Sequence, residues 1–341
     1  MSTITILAID GGGIRGMIPA AFLNRLEQET GHSVSKLFDY VAGTSTGGIL
    51  ALGLGLKRPG QAEPYTASEL MALYTTQGQH IFSRSLFHTI GALGNLNGSK
   101  YPDDGVDAVL KAYFDGMRLR DAKTNLLVTS YAIELRCPFF FRSWQAQRAA
   151  SHDFEAWHVA RSTSAAPTFF PPHQAQAADG KTYALIDGGM YANNPALCTW
   201  VEAHDRHPDS DIFVVSLGTG NENKKISYND AKNWGLAGWA PHLIDVIFDG
   251  VSDTVDVQLD EILNTSGHHN HYRFQTDLVG AQQDMDNTDA VNLSSLRELG
   301  EQLAIGPAFG EVCTRLSAVI AERAALNQGY PMPAVDKRNV A

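Results

Sequence analysis

The chain has 341 residues, 44% hydrophobic and 18% charged, with 31 glycines and 14 prolines. That balance suits a globular protein with one large core or two modest ones and excludes a disordered chain. A formal net charge of −11 argues against a nucleic-acid partner, whose phosphates need a basic face, and against strong electrostatic capture by an anionic membrane.

In chain order, "TITILAID" is short, apolar and β-branched and predicts a buried strand. It lacks a basic flank and ends in a charge at Asp10, so it does not read as a signal peptide. "MIPAAFLNRLEQETG" follows, with Ile18, Phe22, Leu23 and Leu26 at helical spacing and Gly31 as a stop. "LFDYVAGTS" predicts a second strand and "TGGILALGLGL" a second, apolar helix. Strand, turn and helix twice over predict a parallel sheet with right-handed crossovers.

"TASELMALYTTQGQHIF" predicts a helix capped by Thr66 or Ser68, with Glu69 in its first turn. Residues 83–105, rich in Gly, Ser and Asn, read as a long surface loop, and "DDGVDAVLKAYF" as a helix. "TNLLVTSYAIE" and "PFFFRSW" read as strands. "DFEAWHVARSTSAAP" reads as a helix capped by Asp153 and closed before Pro167. "TYALID" and "DIFVVSLGTG" read as strands around the helix "NNPALCTWVEAHD", with Asn194 as cap and Pro195 as its first residue.

Over residues 239–263, Leu243, Ile247, Val251, Val255, Leu259 and Ile262 recur at helical spacing. Asp245, Asp249, Asp253, Asp256 and Asp260 fall between them. An acidic amphipathic helix is expected to pack on the sheet rather than touch lipid, because membrane-surface helices usually carry a basic face. The whole reads as one domain over residues 1–325 with a tail over 326–341. No uninterrupted apolar stretch reaches about 18 residues. Cys137, Cys198 and Cys313 are too few for a disulfide framework. The expected location is the cytoplasm.

Two glycine-rich turns carry the chemistry. Gly11-x-Gly13-x-x-Gly16 lies between a strand and a helix, which fits a dinucleotide-binding turn. That reading also needs an acidic residue at the end of the second strand to hold a ribose. Asp39 stands at its beginning. At its end stands Gly43-Thr44-Ser45-Thr46-Gly47, the pattern of a nucleophile elbow; the plainer alternative is a tight turn with a capping serine. If the two strands are neighbours, backbone N–H groups of Gly11, Gly12 and Gly13 could face the carbonyl that Ser45 attacks. A base is then required. Asp187, where a strand ends in "ALIDGGMYANNP", is the candidate, against the alternative of a turn residue. His268, His269 and His271 are too crowded for a convincing zinc site.

Taken together, "DGGGIRG", "GTSTGG" and "DGGMYANNP", with "STSAAPTFFPP" ahead of the aspartate, resemble the patatin-like phospholipase family of acyl hydrolases. The resemblance implies a three-layer α/β/α fold with a mostly parallel central sheet. It implies a Ser45–Asp187 dyad, an oxyanion hole from Gly11, Gly12 and Gly13, and neither metal nor cofactor. Gly43, Gly47 and Gly188 would shape the turns. Arg15 would either fix its loop by hydrogen bonds or meet a lipid phosphate. The implied substrate is a phospholipid or another acyl-ester lipid, cleaved in the manner of a phospholipase A or lysophospholipase with transient membrane contact. Chains of this length also resemble bacterial patatin-like effectors that a cyclic nucleotide switches on to degrade membrane lipid. Residues 83–105 and the region beyond 220 are the places open to such an activator. The rival reading is a dinucleotide-binding oxidoreductase using the Gly11–Gly16 loop.

Overall fold

The computed structural model describes residues 3–81, 103–221, 225–265 and 268–329. Residues 83–102 of the expected loop and the tail beyond 329 lie outside the described residues. Eight strands form one sheet. They are β1 (Thr3–Ile9), β2 (Tyr40–Gly43), β3 (Asn125–Ala132), β4 (Cys137–Arg142), β5 (His173–Gln176), β6 (Thr182–Asp187), β7 (Asp211–Leu217) and β8 (His271–Phe274). Their order is β8-β7-β1-β2-β3-β6-β5, with β4 also paired to β3. The five strands from β8 to β3 are mutually parallel. β4 and β6 run antiparallel to β3, and β5 antiparallel to β6.

The main helices are α1 (Met17–Thr30), α2 (Thr46–Gly55), α3 (Ala67–Ile81), α4 (Asp103–Phe114), α5 (Ala156–Thr163), α6 (Ala196–Arg206), α7 (Leu236–Leu263), α8 (Ala290–Leu303) and α9 (Pro307–Gly329). Alternate residues of β1 show how they are layered. Leu7 and Ile9 join the core that includes Phe22 of α1, Leu50 of α2 and Leu70 of α3. Ile6 and Ala8 point the other way, to Ala196 and Ala203 of α6 and Leu259 of α7. Helices therefore cover both faces, giving three layers. A strand buried on both faces has no polar side to show, which is why β1 reads as an unbroken apolar run. Strand order reverses at β1, with β2 on one side and β7 on the other. Such a switch opens a crevice beyond the carboxyl ends of the strands.

Local details at three helix starts correct or select among the expected caps. Asp153 does not cap α5. Its carboxylate accepts from Arg118 Nε at 2.7 Å and from the Arg120 N–H at 3.2 Å, and these charge-assisted bonds hold it away from the helix end. At α6 the cap lies one residue later than expected: Pro195 occupies the cap position, and Asn194 Oδ1 accepts from Ala196 N–H at 3.0 Å. At α3, Thr66 and Glu69 form a reciprocal capping box, each side chain accepting from the other's N–H, which leaves Ser68 no such role.

A further departure concerns α7. Ile244, Phe248 and Leu259 are buried, whereas Leu243 and Ile262 of the expected inner face are 49% and 44% exposed. The C-terminal half covers the sheet as expected, but the N-terminal half forms a wall of the crevice. Among the described residues no single helix is long and apolar enough to cross a membrane.

Candidate active site

The sheet register brings the two chain segments of the expected dyad to one level. Gly43 pairs with Val128 on β3, and Asp187 pairs with Ser130 on the same strand. Two residues beyond Gly43 is Ser45, so the antiparallel β6 delivers Asp187 to the rim that β2 reaches from below. Ser45 has φ 54° and ψ −122°, a conformation that non-glycine residues rarely adopt. Close packing holds it there. A side chain at Gly43 would place its Cβ 2.0 Å from the Gly47 carbonyl oxygen, and one at Gly47 would lie 2.2 Å from that of Ile9. The Ser45 N–H donates to Thr163 Oγ1 at 2.8 Å, tying the elbow to α5.

Asp187 is fully buried. Its Oδ1 accepts from the Gly189 N–H at 2.7 Å. Oδ2 is buried and has no partner at hydrogen-bond distance, although the Ser45 hydroxyl lies near enough to favour the charged form. The serine–aspartate contact is thus loose, as catalytic contacts often are without substrate. Burial is the largest influence on this acid. It pushes the carboxyl from 3.8 up to about 7, against the opposing pull of Ser45 and the Gly189 N–H. Gly188 caps the short helix Gly189–Ala192 that follows.

The first glycine loop lies against the same elbow. A Cβ on Gly11 would meet Asn193 Oδ1 at 2.4 Å and Ser45 Cβ at 3.2 Å. The three amides expected to act together do not. The Gly11 N–H donates to the Asn193 carbonyl at 3.2 Å, and an amide has one hydrogen to give. Among the described residues nothing accepts from Gly12 or Gly13, so the free donors are these two. Thr219 Oγ1 donates to the Gly11 carbonyl at 2.7 Å and fixes the loop from below. At its root Asp10 takes a two-pronged pair from Arg273, at 3.0 and 2.6 Å. Arg15 is buried, and its Nη1 reaches the Gln283 carbonyl at 3.5 Å. Its placement is that of a side chain binding the loop to the 283–285 segment, where the Ile14 N–H also meets the Met285 carbonyl at 2.8 Å.

Ser45 and Gly13 line a cleft that opens to solvent. Ile49, Leu73, Val106, Phe170, Ile244 and Phe248 contribute to its walls. Among the described residues no histidine does, and Asp187 is the acid whose ionisation the Ser45 hydroxyl influences. His268 and His269 are exposed, while His271 is buried with Nδ1 3.1 Å from Asp260 Oδ1. The dinucleotide reading loses its ribose ligand. Asp39 stands at the amino end of β2, bonded to Thr5 and Arg323, at the rim opposite the glycine loop.

Asn193, Thr163, Thr219, Asp10 and Arg273 were not legible as site residues. Of these, Asp10, Thr163 and Asn193 lie inside the motifs "DGGGIRG", "STSAAPTFFPP" and "DGGMYANNP", and the Asn193 side chain at Gly11 gives that position a reason.

The profile of the family described as Patatin-like phospholipase matches residues 7–200. The chain is 33% identical over 339 residues to "Patatin-like protein 2" of Arabidopsis thaliana, covering 89% of this chain and 83% of that protein. It is 32% identical to "Patatin-like protein 2" of Oryza sativa subsp. indica, with coverages of 88% and 83%. It is 27% identical to "Patatin-15" of Solanum tuberosum, with coverages of 94% and 90%. The chain belongs to the patatin-like phospholipase family, and it is an ester hydrolase of the lipid acyl hydrolase class.

Proposed function

We propose that the chain cleaves fatty-acyl esters of lipids through a Ser45–Asp187 dyad. The Ser45 hydroxyl oxygen attacks the ester carbonyl carbon while its proton passes to Asp187. Negative charge gathers on the carbonyl oxygen, which accepts from the free N–H groups of Gly12 and Gly13. The carbon–oxygen bond to the alcohol breaks, and that alcohol or lysolipid leaves with the proton from Asp187. Water then attacks the acyl-serine, gives its proton to Asp187, and the fatty acid departs as Ser45 regains its hydrogen. The acyl chain lies in the apolar cleft.

The observation that carries this reading is a serine held at positive φ beside a buried carboxyl that titrates near neutrality. A base poised near the working pH suits proton transfer better than an ordinary carboxylate. A fluorophosphonate should therefore label the protein on Ser45 and fail to label Ser45→Ala. Asp187→Asn is expected to lower ester cleavage by about 10²–10⁴, the range general-base catalysis contributes. Full activity in either variant, or an adduct on another residue, overturns the reading. Membrane contact belongs to the same proposal, since the substrate resides in a bilayer. Cyclic dinucleotides added to this assay test the expected nucleotide control, and stimulation by none of them ends it.

A further inference from the structure

Helix α7 carries two apolar stripes on opposite sides. Ile244, Phe248 and Leu259 point inward and are buried, and the first two line the cleft. Trp239, Leu243, Val246 and Val257 are 38, 49, 45 and 64% exposed. At roughly 100° per residue these four fall within an arc of about 60°, half a turn away from Phe248. Ile226, from the segment ahead of the helix, is also exposed and borders the same depression as Val246. A helix covering a soluble core ordinarily turns charge outward at this position. A run of large apolar side chains kept in water instead marks a contact surface.

Charge selects what that surface meets. Asp245, Asp249, Asp253, Asp256, Asp260 and Glu261 lie on α7, and the helix holds no lysine or arginine. Two copies packed through this face would oppose carboxylates to carboxylates. An anionic bilayer would repel it in the same way. A zwitterionic lipid surface offers apolar depth for the stripe and ammonium groups for the acidic flanks. The helix is about 10 Å across. A bilayer against its outer face would stand one helix away from the cleft.

We propose that the outer face of α7 seats the enzyme on zwitterionic phospholipid membranes. The choice of lipid as partner rests on the acyl-hydrolase reading. The test uses flotation with vesicles of phosphatidylcholine or of phosphatidylglycerol, in a Ser45→Ala background so that lipid is not consumed. That protein is expected to float with phosphatidylcholine and at least tenfold less with phosphatidylglycerol. Leu243→Glu with Val246→Glu, at positions already half exposed, is expected to reduce phosphatidylcholine binding at least tenfold. With Ser45 restored, the same pair should cleave a dissolved short-chain ester at the unaltered rate and hydrolyse vesicle lipid at least tenfold more slowly. Equal flotation of the double variant overturns the proposal. So does a preference for phosphatidylglycerol, or a dimer in sedimentation that the two glutamates dissolve. Flotation is measured without the nucleophile, so a failure of the catalytic reading leaves its outcome separately readable.

Discussion

Asp187 is costly to keep ionised. The groups that favour its charge are a hydroxyl and one backbone N–H, and they do not offset its burial. Activity and stability should therefore respond to pH in opposite directions. Catalysis needs the carboxylate, so kcat/KM for a dissolved ester should rise with pH and level off above about 7. A flat profile between about pH 5 and 8 would show that another group is the base. For stability, the unfolded acid ionises near 3.8 and the folded one near 7. Between those values the folded state holds the extra proton, so stability falls as pH rises and stays lower above 7. Asp187→Asn removes this cost. Its melting temperature is expected to exceed that of the unaltered enzyme at pH 8 and to approach it near pH 4, while ester cleavage is lost. At this scale the sequence was legible where chemistry is local. Gly43, Ser45 and Gly47 form one turn, and their spacing states its purpose. Depth is not local. The local sequence gives Asp187 no sign of raised basicity, because depth comes from packing with distant parts of the chain. The other supports are as remote: Thr163 lies 118 residues from Ser45, and Thr219 lies 208 from Gly11.

Among the elements, the strands and helices near the amino end follow their patterns closely, and α7 does not. The reason is visible in its two stripes. Hydrophobic spacing identifies an amphipathic helix, but it cannot choose an inner face when opposite sides are both apolar. The expectation took Leu243 for core, whereas the structure turns Ile244 and Phe248 inward. Phe248 then matters to the chemistry. A Cβ on Gly189 would meet its ring at 2.5 Å, so the ring presses on the residue whose N–H holds Asp187. Phe248→Ala should admit water beside that carboxyl. The midpoint of the pH–rate profile is expected to move down from about 7 toward the ordinary carboxylate range. Stability should fall by about 3–5 kcal/mol, the usual effect of truncating a buried phenylalanine. The unfolding midpoint and the pH profile are separate readouts. A loss of stability with an unmoved midpoint would confine Phe248 to packing.

Across the whole molecule, ion pairs join the amino-terminal strands to segments far along the chain. Arg273 of β8 reaches Asp10 at the end of β1, and Arg323 of α9 reaches Asp39 ahead of β2. No sequence pattern announces either pair, since the partners stand 263 and 284 positions apart. They should differ sharply in effect. The side chains of Asp10 and Arg273 are 2% and 10% exposed, those of Asp39 and Arg323 27% and 32%. Arg273→Ala strands a buried carboxylate at the root of the glycine loop, which should cost about 3–5 kcal/mol in urea unfolding. Arg323→Ala leaves a carboxylate that water can reach, and about 1 kcal/mol or less is expected. The kinetic effects should divide the same way. Asp10 anchors the loop that carries the free Gly12 and Gly13 amides, so Arg273→Ala is expected to lower kcat on a dissolved ester even at temperatures where the variant is fully folded. Arg323→Ala acts at the opposite rim and should leave kcat unchanged. Equal costs for the two substitutions would mean that water reaches the Asp10–Arg273 pair. The loop would then owe its shape to its other supports, Thr219, Asn193 and the 283–285 segment.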